Sequence, residues 1–235
     1  MSYGLGRIPS PRDSRDFKLA IYVAEPTVTE RFWAVGPTLN QGSTPHCVGF
    51  AGADWGNCLP VDDEWDDSQG HALYYAVKVL EGEPGEENGA WVRDLAKVLK
   101  NEGRIGTYAF GNLATARAFV LTQGPVVLGI RWYEDMDRPD SEGRVRPTGD
   151  LRGGHAVLLY GADPDYAYLQ NSWGDGWGDH GCCRIGWRDL ALCMDGNGEA
   201  MAAVELPVDT PRPPRPGFWA RLWARLCYLW RSFFV

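Results

Sequence analysis

Apolar residues recur at helical spacing in the first half of the chain and run together or alternate in the second. Ala72, Leu73, Ala76, Val79 and Leu80 fall on one face of a helix, with Ser68 placed as its N-cap. Val92, Leu95, Ala96 and Leu99 mark a second helix that ends near Gly103. A third is predicted over residues 112–123, stopped by Gly124-Pro125. Beyond that point the pattern changes. Residues 126–130 read as a buried strand, residues 135–152 as a long polar loop, and residues 155–162 and 166–170 as a hairpin turned by Asp163-Pro164-Asp165. Residues 181–187 and 200–206 are further strand candidates. Helices first and sheet second predict an α+β fold, its two unlike halves packed about a cleft. Residues 1–28 read as an irregular lead-in, broken by Pro9, Pro11 and Pro26 and carrying a solvated Arg12-Asp13-Ser14-Arg15-Asp16 cluster.

One stretch resists this reading. Between Cys47 and Cys58 lie Gly49, Gly52 and Gly56, each costing a helix about 0.8–1 kcal/mol relative to Ala. A helix there needs tertiary support, and what the glycines offer in return is close approach by neighbouring backbone. The acidic run over residues 62–67 lacks the spacing and glycine of an EF-hand loop and reads as a solvated turn.

Composition narrows the functional classes. With 44% hydrophobic and 23% charged residues over 235 positions, the chain has an ordinary globular balance. Its net charge of −8 argues against nucleic acid as a partner, because phosphate neutralisation needs a basic surface. The six cysteines include no Cys-x-x-Cys pair, and adjacent Cys182-Cys183 would point to opposite faces of a strand. Neither a disulfide framework nor a structural metal is expected, and no cofactor is called for. Residues 1–18 hold no apolar core of signal-peptide type, and no apolar run reaches the ~18 residues of a spanning helix. These features favour a reducing, cytoplasmic location.

The candidate chemistry centres on Cys47, set where a loop turns into a helix, six positions after Gln41. Unpaired N–H groups and the positive end of a helix dipole favour the reactive thiolate. A base is then required. His46 adjoins the cysteine and points elsewhere, while His71 and His180 read as structural or surface residues. His155 follows Gly153-Gly154, opens an apolar strand, and precedes Asn171 by 16 positions, a separation a hairpin can close. An amide oxygen on Asn171 would accept the imidazole N–H, leaving the other ring nitrogen to exchange a proton with the thiol.

Gln41-Gly42-Ser43 leading to Cys47, Gly154-His155-Ala156-Val157, and Asn171-Ser172-Trp173-Gly174 with Trp177-Gly178 and Gly181 resemble, in order and spacing, the signature blocks of papain-like cysteine peptidases. The resemblance runs from about Phe32 to Leu206. It implies a two-lobed fold: a helical left lobe carrying Cys47 and an antiparallel β-sheet right lobe carrying His155 and Asn171. It also implies roles: Cys47 as nucleophile, His155 as acid/base paired with it as thiolate and imidazolium, Asn171 as orienter, and Gln41 as oxyanion donor beside the Cys47 N–H. Trp173 and Trp177 would shield the pair. Gly89 is the candidate for the glycine-bearing strand that pairs with substrate backbone. The expected activity is endopeptidase cleavage of a peptide or protein substrate through a thioester. An acyl transferase or isopeptidase using the same triad, and a silent binding module of the same fold, are the alternatives.

Departures from the family pattern gather around the nucleophile. Thr44 replaces a disulfide cysteine, Pro45-His46 replace Gly-Ser, and Val48 replaces a tryptophan. Instead of a long helical propeptide there is the short lead-in, expected to drape over the cleft as an autoinhibitor. The peptidase domain is placed at residues 29–206, followed by a Pro-rich linker at 207–217. A basic, aromatic helix at 218–235 is suited to a membrane surface or a partner protein.

Overall fold

The computed structural model describes residues 3–14, 16 and 18–204. In chain order the elements are β1 (Arg7–Ile8), β2 (Arg31–Phe32), α1 (Cys47–Asn57), α2 (Asp67–Leu80), β3 (Ala90–Trp91), α3 (Val92–Asn101), β4 (Thr107–Gly111), α4 (Leu113–Thr122), β5 (Val126–Tyr133), β6 (Leu151–Ala162), β7 (Tyr166–Gln170), β8 (Cys182–Gly186), α5 (Trp187–Met194) and β9 (Glu199–Val204). A seven-stranded sheet runs β4-β9-β5-β6-β7-β8, with β2 added against the end of β6. All of its pairings between named strands are antiparallel.

Strand alternation divides the interior in two. Val127, Ala156, Leu158, Met201 and Ala203 face the helical side and pack with α1, α2 and α3. Leu128, Ile130, Val157, Leu159, Ala200 and Ala202 face the other side, where Trp132, Trp173 and Trp177 fill the core. Helix α1 is the axle of the first cluster, with every residue from Cys47 to Asn57 buried. Its glycines are contact points. A Cβ on Gly49 would stand 2.3 Å from the Gly70 carbonyl oxygen, so α2 crosses at a distance no side chain allows.

Some expectations change. Helix α2 is capped by Asp66, not Ser68: the Asp66 carboxylate accepts the Ser68 amide, and Gln69 reaches back to the Asp66 N–H as a capping box. Strand β4 was invisible to periodicity because Thr107–Gly111 is half-buried throughout except Ala109. Trp187, expected to finish a strand, starts helix α5. The lead-in contains β1, which pairs in parallel with β3, and a turn of 3-10 helix at Leu19–Ile21. The expected linker at 207–217 and tail helix at 218–235 lie outside the described residues. No helix among the described residues is long and apolar enough to cross a membrane.

Candidate active site

Cys47 is the first residue of α1 and is fully buried. Backbone groups of Ala156, Gly6 and Val48 face its sulfur, so the residue following His155 on β6 lies against the nucleophile candidate. On the opposite face of β6, His155 packs between Trp132 and Trp173, with ring centroids 4.9 and 4.8 Å away. Its Nε2 donates to Asn171 Oδ1 at 2.8 Å, and this same oxygen accepts the Ser172 amide at 2.9 Å. The structure thus joins His155 to Asn171 across β6 and the turn after β7, and sets the next residue of β6, Ala156, against Cys47.

Gln41 closes the other side. Its Oε1 accepts the Ser172 hydroxyl at 2.9 Å, and its Nε2 donates to Thr44 O at 2.7 Å. The second amide hydrogen is left to point into the cleft, where the Gly4 carbonyl lies 3.3 Å from Nε2. Ser172 was not singled out from the sequence as a positioning residue. Its role emerges only when the turn after β7 meets the loop before α1.

The cleft holds the protein's own lead-in. Tyr3 stacks on Trp173 with ring centroids 4.4 Å apart. The Gly4 amide donates to Gly42 O at 3.2 Å, and the Gly4 carbonyl also accepts from Trp173 Nε1 at 3.2 Å. Gly6 then passes the Cys47 sulfur, and its carbonyl accepts the Ala90 amide at 2.8 Å. Only glycine fits at that point, because a Cβ on Gly6 would lie 1.9 Å from the Pro45 carbonyl oxygen. Gly89, at φ +94, lies directly beside the segment: a Cβ there would meet Gly6 O at 2.2 Å. The expected strand partner for a peptide in the cleft is therefore where the lead-in pairs.

Burial sets the protonation states. It pushes the Cys47 thiol up to about 11, against the opposing pull of nearby backbone groups and the Arg7 charge. It pulls His155 down to about 4, with Asn171 acting the other way and Arg152 adding to the fall. His155 Nδ1 has no hydrogen-bond partner. The thiolate–imidazolium pair implied by the family resemblance is thus not the state of this closed cleft.

A supporting network lies under Gly89. Lys78, fully buried, donates to Gly89 O at 3.1 Å, to Glu81 and Glu83 at 2.7 and 2.6 Å, and to Asn88 at 2.7 Å. Tyr74 O–H donates to Glu86 O at 2.9 Å and its oxygen accepts the Gly89 amide at 3.2 Å. His46 is buried nearby. It stacks on Tyr74 at 3.8 Å and bonds Glu87 and His71 through its two ring nitrogens at 2.6 and 2.7 Å. Its expected unsuitability as the base for Cys47 agrees with this placement.

The fold superposes on that of xylellain, a cysteine protease from Xylella fastidiosa, with a TM-score of 0.67 at 19% identity, covering 87% of this chain and 97% of that one. Residues 85–198 match the family model described as papain family cysteine protease. The fold is papain-like. Digestive procathepsin L 3 of Tenebrio molitor shares the fold at a TM-score of 0.57 and 16% identity, over 86% of this chain and 75% of that one. Cathepsin B-like cysteine proteinase 3 of Ostertagia ostertagi is 31% identical over 100 residues, 40% of this chain and 58% of that protein. Cathepsin B-like cysteine proteinase 1 of Haemonchus contortus is 31% identical over 98 residues, 40% of this chain and 29% of that protein. The chain thus spans between 29% and 58% of these curated relatives' lengths. The matched block contains Gly89, His155 and Asn171 and begins after Gln41 and Cys47, so the nucleophile side rests on the fold and its geometry.

Proposed function

We propose that this papain-like chain is a cysteine peptidase whose own lead-in holds it latent. One observation carries the reading. Cys47 sits at the start of α1 against Ala156, while the adjoining His155 is held by Asn171 at 2.8 Å beneath Trp173. A silent binding module has no need for that combination.

In the working cycle, the lead-in leaves the cleft and water and substrate enter. The desolvation that keeps Cys47 and His155 neutral is relieved, and His155 takes the thiol proton. The thiolate attacks the substrate carbonyl carbon. The oxyanion receives hydrogen bonds from Gln41 Nε2 and the Cys47 amide, donors of a kind worth roughly 2.7–4 kcal/mol each in such sites. His155 returns its proton to the leaving amine, giving a thioester, and then activates the water that hydrolyses it. Asn171 holds the imidazole through Nε2 so that Nδ1 faces the sulfur side. Latency follows from what the segment presents. At Cys47 it places the Gly6 backbone against the sulfur, and it occupies the outward N–H of Gln41.

The test is covalent labelling with a peptidyl epoxide, read by mass spectrometry, alongside hydrolysis of a peptide mixture. The wild-type chain is expected to carry the label on Cys47 and to hydrolyse peptides, and Cys47→Ala to do neither. Absence of Cys47-dependent labelling would favour the binding module. Labelling with transfer to an added amine, but no hydrolysis, would favour the acyl transferase.

A further inference from the structure

We infer that His46 and Glu87 are positioning residues: with Tyr75 they form a clasp that ties the loop before the nucleophile to the loop carrying Gly89, and so fixes the gap in which a substrate backbone must lie. This rests on the peptidase reading above and concerns how that site is held in register.

The two loops are far apart in sequence and meet over one helix. His71, Tyr74, Tyr75 and Lys78 fall at i, i+3, i+4 and i+7 along α2, a single stripe. Lys78 and Tyr74 hold the Gly89 carbonyl and amide. Tyr75 O–H donates to Glu87 Oε1 at 2.8 Å. From the other side, His46 Nε2 lies 2.6 Å from Glu87 Oε2, while its Nδ1 lies 2.7 Å from His71 Nδ1. Burial keeps His46 neutral, its pKa lowered to about 4, so one ring nitrogen donates and the other accepts. A carboxylate only accepts. His46 Nε2–H therefore donates to Glu87, and His71 Nδ1–H donates to His46. Each oxygen of Glu87 thus takes one donor, Oε1 from α2 and Oε2 from the nucleophile loop.

What the clasp controls follows from where its ends sit. His46 stands at the N-cap of α1, immediately before Cys47, whose amide is an oxyanion donor on the reading above. Glu87 precedes Gly89 by two residues. The two helices are themselves locked, since a Cβ on Gly49 would lie 2.5 Å from the Tyr74 amide nitrogen. The loop between α2 and β3 is the part with freedom to shift, and Gly82, Gly85 and Gly89 within it all take positive φ. Thr44, where the family pattern has a disulfide cysteine, turns its hydroxyl to Gln41 O at 2.7 Å and stays within its own loop. The nearby His46 is what reaches across. In the closed state the gap so held contains the lead-in. Gly6 O accepts the Ala90 amide, and Arg7 pairs with Ala90 and is fastened to Glu199, itself the partner of Gly129 across β5 and β9.

A half-exposed ion pair by itself contributes little. Glu87 has a half-exposed side chain, yet it is gripped at both oxygens, and the His46 ring is buried and stacked on Tyr74. Removing Glu87 therefore releases the position of the loop as well as a charge.

The experiment uses the full chain and two reagents, both read at Cys47 by mass spectrometry. Iodoacetamide needs only the sulfur, whereas a peptidyl epoxide must also lay its backbone along Gly89. Both wait on the same opening of the lead-in, so the ratio of their rates isolates the register of the gap. Glu87→Ala is expected to lower the epoxide rate relative to the iodoacetamide rate by about tenfold, the scale of one lost charge-assisted hydrogen bond. Glu87→Gln, which keeps an acceptor for His46 Nε2–H, is expected to recover most of that loss. A role confined to folding would change both rates together, and a solvated surface acid would change neither; either result overturns the proposal. Hydrogen exchange of the Gly89 amide gives a second readout without chemistry. It is expected to quicken by about tenfold in Glu87→Ala as the loop opens more often. Exchange equal to wild type overturns the clasp. Faster exchange, with no Cys47-dependent epoxide labelling in wild type, upholds the clasp and sinks the peptidase reading.

Discussion

One short segment closes two adjoining parts of the same trench in opposite ways. At Cys47 it brings only backbone and burial, so two titratable groups are driven to their neutral forms, the thiol to about 11 and His155 to about 4. One residue further on it brings a full charge, and Arg7 is bound by a carboxylate and a carbonyl in a slot that excludes water. The first contact keeps Cys47 and His155 neutral and is generic, since any backbone lying there would do the same. The second is selective, because Glu199 is satisfied only by a cation. One seal can thus separate the part that keeps the titratable groups neutral from the part that holds a charge.

The sharpest break in this comparison is Arg7→Glu. Placing a carboxylate against Glu199 should expel the segment, and epoxide labelling of Cys47 in the full chain is expected to rise by about a hundredfold, a scale set by a lost charge pair plus new repulsion. The labelling should also reach its pH plateau lower than in wild type, whose buried thiol must be driven toward a pKa of about 11. Unchanged labelling would mean that the seal does not depend on the ion pair.

Smaller in expected size is Asn171→Ala in the Arg7→Glu background. Turnover is expected to fall by tens of fold with little change in KM, because Asn171 orients His155 and meets no substrate. An effect confined to KM would move Asn171 out of that role.

The smallest effect is on stability, and its sign can be worked out. His155 and His46 both have pKa values lowered by burial to about 4, so between that value and the ordinary 6.5 the unfolded chain binds more protons than the folded one. Stability is therefore full above pH 6.5 and is lost as pH falls toward 4, by an order of 1–3 kcal/mol per histidine. Denaturant midpoints at pH 4.5 and 7.5 test this. His46→Gln should narrow the gap between them, whereas equal midpoints in wild type would refute the neutral buried state.

Legibility in the sequence followed the kind of interaction involved. Tyr166–Gln170 and α4 announced themselves because strand patterning and the Gly124-Pro125 stop are local. Cys47, His155 and Asn171 could be nominated because each needs a particular residue type at a particular spacing. Helix α1 ran against propensity, since its stability comes from α2 and α3 pressing on its glycines. Glu199 was unreadable for a stronger reason. As one acidic residue at the head of a strand, it acquires meaning only when β9 is laid beside Gly129 and a lead-in from the far end of the chain inserts its guanidinium. Lys78 is a similar case: by periodicity it belonged to an ordinary helix, yet it is buried beneath the loop that carries Gly89.

The seal also depends on what is missing from it. A Cβ at position 4 would stand 2.1 Å from the Thr44 carbonyl oxygen, and one at position 6 would stand 1.9 Å from that of Pro45. Nearly every substitution at these two sites therefore unlatches the cleft while leaving Cys47, His155 and Asn171 untouched. Random damage to a protein usually removes its activity. Here, on the peptidase reading proposed above, two codons have the opposite polarity: errors in them would open the cleft, so the closed state is the more fragile one.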